Sequence, residues 1–331
     1  MKTIALMTVL ITVFGIVLLP AFLARGCDFL RQQYPRPYGK IPVPVALYRH
    51  GSQTLVKMDL EEYLVGVLAA EAPASFDVEA LKAQATVSRT YAVKRMCAFG
   101  GKGSECHPSA DICDDPAHGQ GYLSEQDALA KWGVVSARRN WTKLCGAVSD
   151  TSGLIVTYKG IPAWLNYHST CGGRTESAED VWGDQIPYLV SVECTWCKAS
   201  PRFRTAVEMS LDDLAARLGD RSGAIPVMAR KDGRKLIEIL KSSATGRVQQ
   251  LKVGNVTAKG TEFRSALGLP STRFGWQVNG SKIKFECQGY GHGVGLCQYG
   301  ANGMAQDGYL AEQIIAHYFT GARVVPMFDT R

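Results

Sequence analysis

The residue best placed for acid–base chemistry is Glu71, at the end of a predicted amphipathic helix. Asp59 is a good N-cap, apolar residues recur at helical spacing from residue 60 to 68, and Pro73 ends the helix. Glu71 follows Val67 by four positions, so it lies on the inward, apolar face. Desolvation and the negative end of the helix dipole both raise the pKa of a carboxyl group there. The pattern therefore predicts a general acid. The alternative is a carboxylate that frays into solvent at the helix end or pairs with a nearby arginine.

A second helix is predicted directly afterwards, from residue 77 to 97. A stripe of small residues along it allows close approach to the first helix, and Gly100 marks its end. This arrangement brings Gln84, Arg89 and Tyr91 to a groove beside Glu71. An ordinary surface position for Arg89 remains an alternative.

The segment 106–121 has the ligand types of a zinc site. His107, Cys113 and His118 occur with the spacing His-x5-Cys-x4-His on a loop rich in Asp, Pro and Gly. Histidine and cysteine are ligands that suit tetrahedral zinc. The fourth ligand could be Cys106, Cys97 or water, and a disulfide or a metal-free loop is the alternative.

Two further motifs are ambiguous. Cys194 and Cys197 form a CxxC without a second pair or a thioredoxin-like context, which favours a local disulfide or a reduced pair. The glycine-rich run 289–303 contains GxGxG, but no Lys-Ser/Thr follows it and no helix is predicted to begin directly from it. A phosphate loop is therefore not expected.

The N-terminal segment predicts a membrane anchor. Residues 3–24 form a run of 22 residues without a charge, about 33 Å long as a helix, which is enough to cross a bilayer. A cleavable signal peptide is the alternative. We expect an anchor over 1–26, a proline-rich linker over 27–44 and an extracytoplasmic domain over 45–328. The predicted location is thus the cell membrane, with a single pass.

Composition indicates a folded body. The 331 residues are 46% hydrophobic, and 37 Lys and Arg against 30 Asp and Glu give a net charge of +7. The segment 198–284 holds 17 Lys and Arg against 7 Asp and Glu, and it is strand-rich. It is either a solvated basic lobe or a surface that attracts an acidic polymer. Nucleic acid is not an expected partner, because no nucleic-acid-binding motif occurs. Strands and helices do not alternate regularly, so we predict an α+β fold: paired helices carrying Glu71 against largely antiparallel or mixed β-structure.

Four separated blocks resemble stage II sporulation protein D. They are EEYLVGVLAAEAPASFDVEALKAQATVSRTYA, the run from Trp164 to Gly183, the Pro-Tyr-Leu that follows at 187–189, and the run from Gly289 to Ala305. The resemblance covers about residues 43–328. It implies a membrane-anchored lytic transglycosylase that cleaves peptidoglycan during forespore engulfment. It also implies that Glu71 is the catalytic acid and that Arg89 is the arginine of the family's ARTY block.

The resemblance also bears on substrate, partners and metal. It implies glycan strands stripped of stem peptides as substrate, and as partners an amidase of the stage II sporulation protein P type and other engulfment membrane proteins. Some relatives have a cysteine ligand where this chain has Gly119, which leaves three zinc ligands. Cys171 and Cys297 stand where the family usually has serine, which argues against a Cys–His nucleophile.

The remaining substrate-binding candidates line the predicted cleft. They are Tyr167, His168, Ser169, His292 and Gln298. Two alternatives to the enzyme stay open: a module that binds peptidoglycan or enhances an amidase without cutting glycan, and a metal- or thiol-dependent hydrolase.

Overall fold

The structure is a computed structural model that describes residues 42–115, 117–219, 236–254 and 256–329. These residues form an α+β fold, as predicted. The helices are α1 Leu60–Glu71, α2 Val78–Arg95, α3 Glu125–Asp150, α4 Ala178–Trp182, α5 Leu211–Arg217, α6 Gly260–Leu267, α7 Gln298–Gln306 and α8 Ala311–Tyr318. The strands are β1 Pro44–Arg49, β2 Thr54–Asp59, β3 Ile112–Cys113, β4 Leu154–Tyr158, β5 Ile161–Pro162, β6 Tyr167–His168, β7 Arg204–Ser210, β8 Ile237–Ser242, β9 Val248–Val253, β10 Val256–Lys259, β11 Phe274–Asn279, β12 Lys282–Gln288, β13 Leu296–Cys297 and β14 Arg323–Pro326.

Most of the strand pairing is antiparallel, and the sheets are small. Their strand orders are β2-β1-β3, β10-β9-β8, β11-β12-β7, β13-β6 and β14-β4-β5. Two pairs are parallel, β1 with β3 and β6 with β13. The second of these matters for the site, because it joins the segment after residue 166 to the glycine-rich run more than a hundred residues later.

Helix α2 is the central element of the fold. One face packs with α1, α3 and β1 in a first apolar core, and another face packs with β4, α7 and α8 in a second. Residues on nearly every side of this helix are therefore buried. The region from β7 to β12 has a third apolar core of its own, which includes Phe263, Phe274 and Phe285. The division of the chain into domains, including the basic lobe, stays a prediction.

The predicted helix boundaries follow from local capping. The Asp59 carboxylate accepts a hydrogen bond from the Glu61 amide and begins α1, and the Asp77 carboxylate accepts one from Glu79 and begins α2, each at 2.9 Å. Helix α1 ends at Ala72, whose extended backbone suits a residue before proline. One expectation was wrong: α7 begins at Gln298, inside the glycine-rich run 289–303.

The predicted membrane location requires correction. No helix among the described residues is long and apolar enough to cross a bilayer. The segment 3–24, from which the anchor was predicted, lies outside the described residues. The structure thus gives no support to a single-pass anchor.

Candidate active site around Glu71

Glu71 is a half-buried carboxyl group held by groups from two other segments. Its Oε1 accepts a hydrogen bond of 2.6 Å from the Gly121 amide, and the Tyr167 hydroxyl also interacts with the carboxyl. An ideal Cβ on Gly121 would lie 3.0 Å from that same oxygen, so a side chain there would crowd the carboxyl. Burial raises the pKa of Glu71 above its ordinary value of 4.5, against the opposing effects of Gly121, Tyr167 and Lys131.

A network of neutral polar side chains lines the inner side of this site. The Tyr167 hydroxyl oxygen also lies 3.2 Å from Gln120 Oε1, and the Gln120 amide nitrogen donates to the Tyr63 hydroxyl at 3.3 Å. Burial raises the pKa values of both tyrosines well above the ordinary value. These groups therefore stay neutral and orient Glu71 without competing for its proton.

Gln298 connects the glycine-rich segment to the catalytic helix. Its amide nitrogen donates to the backbone carbonyl of Glu71 at 3.2 Å and lies 3.4 Å from Gln84 Oε1. Tyr91 also lies close enough to Glu71 to interact with it electrostatically, and its hydroxyl contacts the His118 carbonyl at 3.4 Å. The structure therefore brings Tyr91, Tyr167 and Gln298 together with Glu71.

A cationic and aromatic row extends from this site. The Arg95 guanidinium lies 3.4 Å from the centroid of the Tyr91 ring and 5.1 Å from that of Trp164. Lys94 lies 5.4 Å from the same tryptophan ring, which is 47% exposed. Exposed aromatic faces bind sugar rings by packing, and the two cations suit an acidic sugar. Of this row, sequence reasoning found Tyr91 and missed Lys94, Arg95 and Trp164. It also missed Lys131 and the Gln120-Gly121 pair.

Arg89 does not line the cleft, contrary to the prediction. It is fully buried, and its guanidinium makes a two-point ion pair with Glu61, with nitrogen–oxygen distances of 2.8 and 2.5 Å. It also donates to the Leu154 carbonyl at 3.1 Å. Helices α1 and α2 pack so closely that this position faces the core, and Arg89 joins α1, α2 and the start of β4.

His168 also lies away from the carboxyl group. Successive side chains of a strand point to opposite sides, so Tyr167 faces Glu71 and His168 faces the interior. His168 is 4% exposed, with Nδ1 3.1 Å from the Val294 carbonyl. Burial lowers its pKa well below the ordinary value. A cleft-lining role for His168 is therefore wrong.

His292 and Ser169 lie one step behind the site. His292 Nε2 lies 3.0 Å from the Tyr167 carbonyl, and burial lowers the pKa of His292 to about 4. The Ser169 hydroxyl lies 3.3 Å from that of Thr170, and the Ser169 carbonyl accepts a hydrogen bond from the Tyr299 amide. Both residues fix the strand that carries Tyr167, and their contact with substrate stays a prediction.

The predicted zinc ligands are not brought together. His107 stacks on Tyr48 at 4.8 Å between ring centroids, Cys113 is buried in β3 and His118 is exposed. An ideal Cβ on Gly119 would lie 1.7 Å from the Cys113 carbonyl oxygen, so the loop as folded excludes a fourth cysteine ligand there. In the described part of the chain, the set of metal-ligating side chains that does converge is a different one, formed by four cysteines.

The raised pKa of Glu71 predicts a dependence of stability on pH. A folded-state pKa above the unfolded value means that the folded protein holds this proton more tightly, so stability falls as pH rises through that interval. Replacing Glu71 by Gln removes the free-energy cost of ionising a buried carboxyl group. We expect a gain of about 0.5–2 kcal/mol in the free energy of unfolding at pH 7 and little change at pH 4. Denaturant unfolding of both proteins at the two pH values measures this, and a loss of stability at pH 7 would contradict it.

The fold and the site together define an α+β protein with a desolvated glutamate at a helix end. Residues 48–158 match the family described as SpoIID, stage II sporulation protein. Stage II sporulation protein D of Bacillus subtilis is 35% identical over 86% of this chain and 79% of its own length, and that of Bacillus amyloliquefaciens is 37% identical with the same coverage. The amidase enhancer of Bacillus subtilis is 26% identical, over 78% of this chain and 39% of its own length.

This chain therefore belongs to the stage II sporulation protein D family, as the resemblance predicted. Its relatives support a role in sporulation.

Proposed function

We propose that this protein is a peptidoglycan lytic transglycosylase that uses Glu71 as its single acid–base group during forespore engulfment. The observation that carries the proposal is the position of Glu71: half-buried, with a raised pKa, and held by the Gly121 amide and the Tyr167 hydroxyl. A carboxyl group whose pKa is raised holds a proton that it can give up and then take back.

The chemistry needs only one carboxyl group. Protonated Glu71 gives its proton to the glycosidic oxygen between N-acetylmuramic acid and N-acetylglucosamine as the bond to muramic C1 breaks. The carboxylate then removes the proton of the muramic C6 hydroxyl, whose oxygen bonds to C1 and closes a 1,6-anhydro ring. Glu71 ends protonated, and no water is consumed.

The surroundings of Glu71 are compatible with a mechanism that uses one carboxyl group. Hydrolases that use two carboxyl groups place them about 5–9.5 Å apart. Burial raises the pKa of Glu71, and the neighbouring groups that lower it are the Gly121 amide, Tyr167 and Lys131. A mechanism with a single acid–base residue fits this environment.

The substrate we propose is glycan stripped of its stem peptides. Each exposed muramic acid then carries a free lactyl carboxylate. Lys94 and Arg95, beside the Trp164 ring, offer cations and an aromatic face to such a sugar. An amidase of the stage II sporulation protein P type would supply this substrate and is a proposed partner, together with other engulfment proteins.

A second candidate function is a module that binds peptidoglycan and enhances an amidase without cutting glycan. The similarity to the Bacillus subtilis amidase enhancer favours it. Incubating purified protein with denuded glycan strands separates the two functions. Release of fragments with 1,6-anhydromuramic ends supports the enzyme, and binding without fragments supports the module.

A substitution at Tyr167 tests whether this residue lowers the pKa of Glu71. Its interaction lowers the pKa of Glu71, so the Tyr167→Phe variant raises that pKa further. Since the first step needs the protonated acid, activity falls as pH rises through the pKa. We expect the alkaline limb of kcat/KM to move to higher pH, and kcat to fall roughly tenfold with the loss of one hydrogen bond.

The matched control for Tyr167 is Tyr158→Phe. Tyr158 packs against Tyr188 in the β14-β4-β5 sheet, with 4.9 Å between ring centroids. The pH profile of kcat/KM for Tyr158→Phe should superimpose on that of the native protein. An alkaline limb that stays in place or moves to lower pH in Tyr167→Phe would contradict the assigned interaction.

A further inference from the structure

Four buried cysteines converge in the second core of the protein. Cys171, Cys194, Cys197 and Cys297 have no solvent exposure, and their Sγ atoms all lie within 4.8 Å of one another. None of them forms a disulfide. They come from three segments of the chain that are far apart in sequence, so their meeting is a property of the fold.

The backbone brings these segments together and directs hydrogen bonds at the sulfur atoms. Strand β13 pairs with β6 so that Cys297 lies opposite His168. Cys297 Sγ accepts hydrogen bonds from the Cys171 amide at 3.2 Å and the Gly300 amide at 3.3 Å. Amide groups that point at sulfur favour the thiolate form and are a usual outer shell of metal–thiolate sites.

Gly300 shows how closely the chain approaches the cluster. An ideal Cβ at this position would lie 2.4 Å from Cys194 Sγ and 2.2 Å from the Tyr318 hydroxyl. Any side chain there would collide with the cluster, so a glycine is needed for the amide to reach Cys297. The Tyr318 hydroxyl itself lies 3.1 Å from Cys194 Sγ.

The spacing of the sulfur atoms fits a tetrahedral ion. With Zn–S bonds of about 2.3 Å, tetrahedral geometry places sulfur atoms about 3.8 Å apart. The Sγ atoms of Cys171 and Cys197 lie 3.5 Å apart, close to that value and longer than the roughly 2.05 Å of a disulfide. Four thiolates with no open position are the ligand set of a structural zinc site.

A buried cation lies beside the cluster. Zinc with four thiolates carries a net charge of −2, which is costly to bury without compensation. The Arg247 side chain is 2% exposed and donates to the Cys171 carbonyl at 3.0 Å. It interacts electrostatically first with the Glu176 carboxylate and then with the Cys171 thiol. Its Nε has no hydrogen-bond partner among the described residues. A negatively charged metal centre would give this buried guanidinium an anionic neighbour in addition to Glu176.

We propose that Cys171, Cys194, Cys197 and Cys297 bind one structural zinc ion. The cluster is connected to the surroundings of Glu71, since Gln298, which donates to the Glu71 carbonyl, follows Cys297 in sequence. Zinc would tie the glycine-rich segment, the loop after β6 and the 3-10 turn Thr195–Ala199 into one unit. The assignment does not depend on glycan cleavage.

The test is the metal content and zinc coordination of the full chain, purified under reducing conditions in zinc-containing buffer and then desalted. Elemental analysis should find about one zinc per chain, and X-ray absorption at the zinc edge should show four sulfur neighbours at about 2.3 Å. Protein without zinc, zinc with nitrogen neighbours, iron in place of zinc, or disulfides among the four cysteines would each overturn the proposal.

Matched cysteine variants locate the ion. Cys171→Ser and Cys297→Ser should lower the zinc content to background, whereas Cys113→Ser and Cys145→Ser should leave it unchanged. Loss of zinc in Cys113→Ser alone would place the ion in the loop 106–121 and overturn the assignment. Because the native protein is measured first, a cluster variant that fails to fold does not remove the test.

Discussion

Replacing Glu71 by Gln is expected to lower the rate of glycan cleavage by about 10³-fold or more. General acid–base catalysis by one side chain commonly contributes about 10²–10⁴-fold, and here the same carboxyl is proposed for both proton transfers. Glutamine has nearly the same shape, and its carbonyl can still accept the hydrogen bond from Gly121. The variant should therefore bind denuded glycan with a Kd close to that of the native protein.

The control for this variant is Glu312→Gln, which changes an exposed carboxylate in α8. It should cleave glycan at the native rate. Cleavage by Glu71→Gln within tenfold of native would remove Glu71 from the mechanism. Equal binding with no cleavage by the native protein and both variants would favour the non-catalytic module.

Breaking the buried ion pair between Glu61 and Arg89 is expected to cost about 3–5 kcal/mol in the free energy of unfolding. Glu61→Gln leaves the Arg89 guanidinium, which has no solvent exposure, without its anion. Denaturant unfolding measures the loss. The Glu61 carboxylate also accepts a hydrogen bond from the Gly153 amide at 3.1 Å, so the change loosens the start of β4 as well.

Two further variants distinguish the cost of leaving a buried charge uncompensated from the cost of losing an ion pair. In the double variant Glu61→Gln/Arg89→Met, the uncompensated charge is gone, so part of the stability should return. Glu208→Ala breaks an exposed pair with Lys282 and should cost less than about 1 kcal/mol. If Glu61→Gln lowers the free energy of unfolding as little as Glu208→Ala does, the Glu61–Arg89 pair does not hold α1 and α2 together.

Helices α1 and α2 and the position of Glu71 could be predicted because their signals lie close together in the sequence. The caps at Asp59 and Asp77 and the stop at Pro73 act within a few residues, so the sequence displays them directly. The inward face of Glu71 follows from helical periodicity alone, and so does the direction of its pKa shift. Strands β8, β9 and β12 contain the alternating apolar and polar residues from which the segment 198–284 was predicted to be strand-rich.

Contacts between distant segments could not be predicted. Arg89 finds Glu61 only because α1 and α2 cross there, and nothing in either residue's own neighbourhood shows that pairing. The Gly121 amide reaches Glu71 from a loop 50 positions away. Helix α3 was not predicted, since Gly133, at φ 71°, interrupts its periodicity and exposes two valines.

The cysteines show the same limit of sequence reasoning. The spacing of His107, Cys113 and His118 predicted a metal loop, but spacing does not determine which way a loop without regular structure turns its side chains. Cys171 and Cys297 had no recognisable spacing, and the parallel pairing of β6 with β13 is what brings them to Cys194 and Cys197.

The most direct test of the central claim is mass spectrometry of the products formed from denuded glycan in water enriched in ¹⁸O. If Glu71 directs attack by the muramic C6 hydroxyl, the new ends are 1,6-anhydromuramic acid, one water lighter than a reducing end, and contain no ¹⁸O. Reducing muramic ends that carry ¹⁸O at C1 would show that water is the nucleophile, and would contradict the proposed single-carboxyl transglycosylase mechanism.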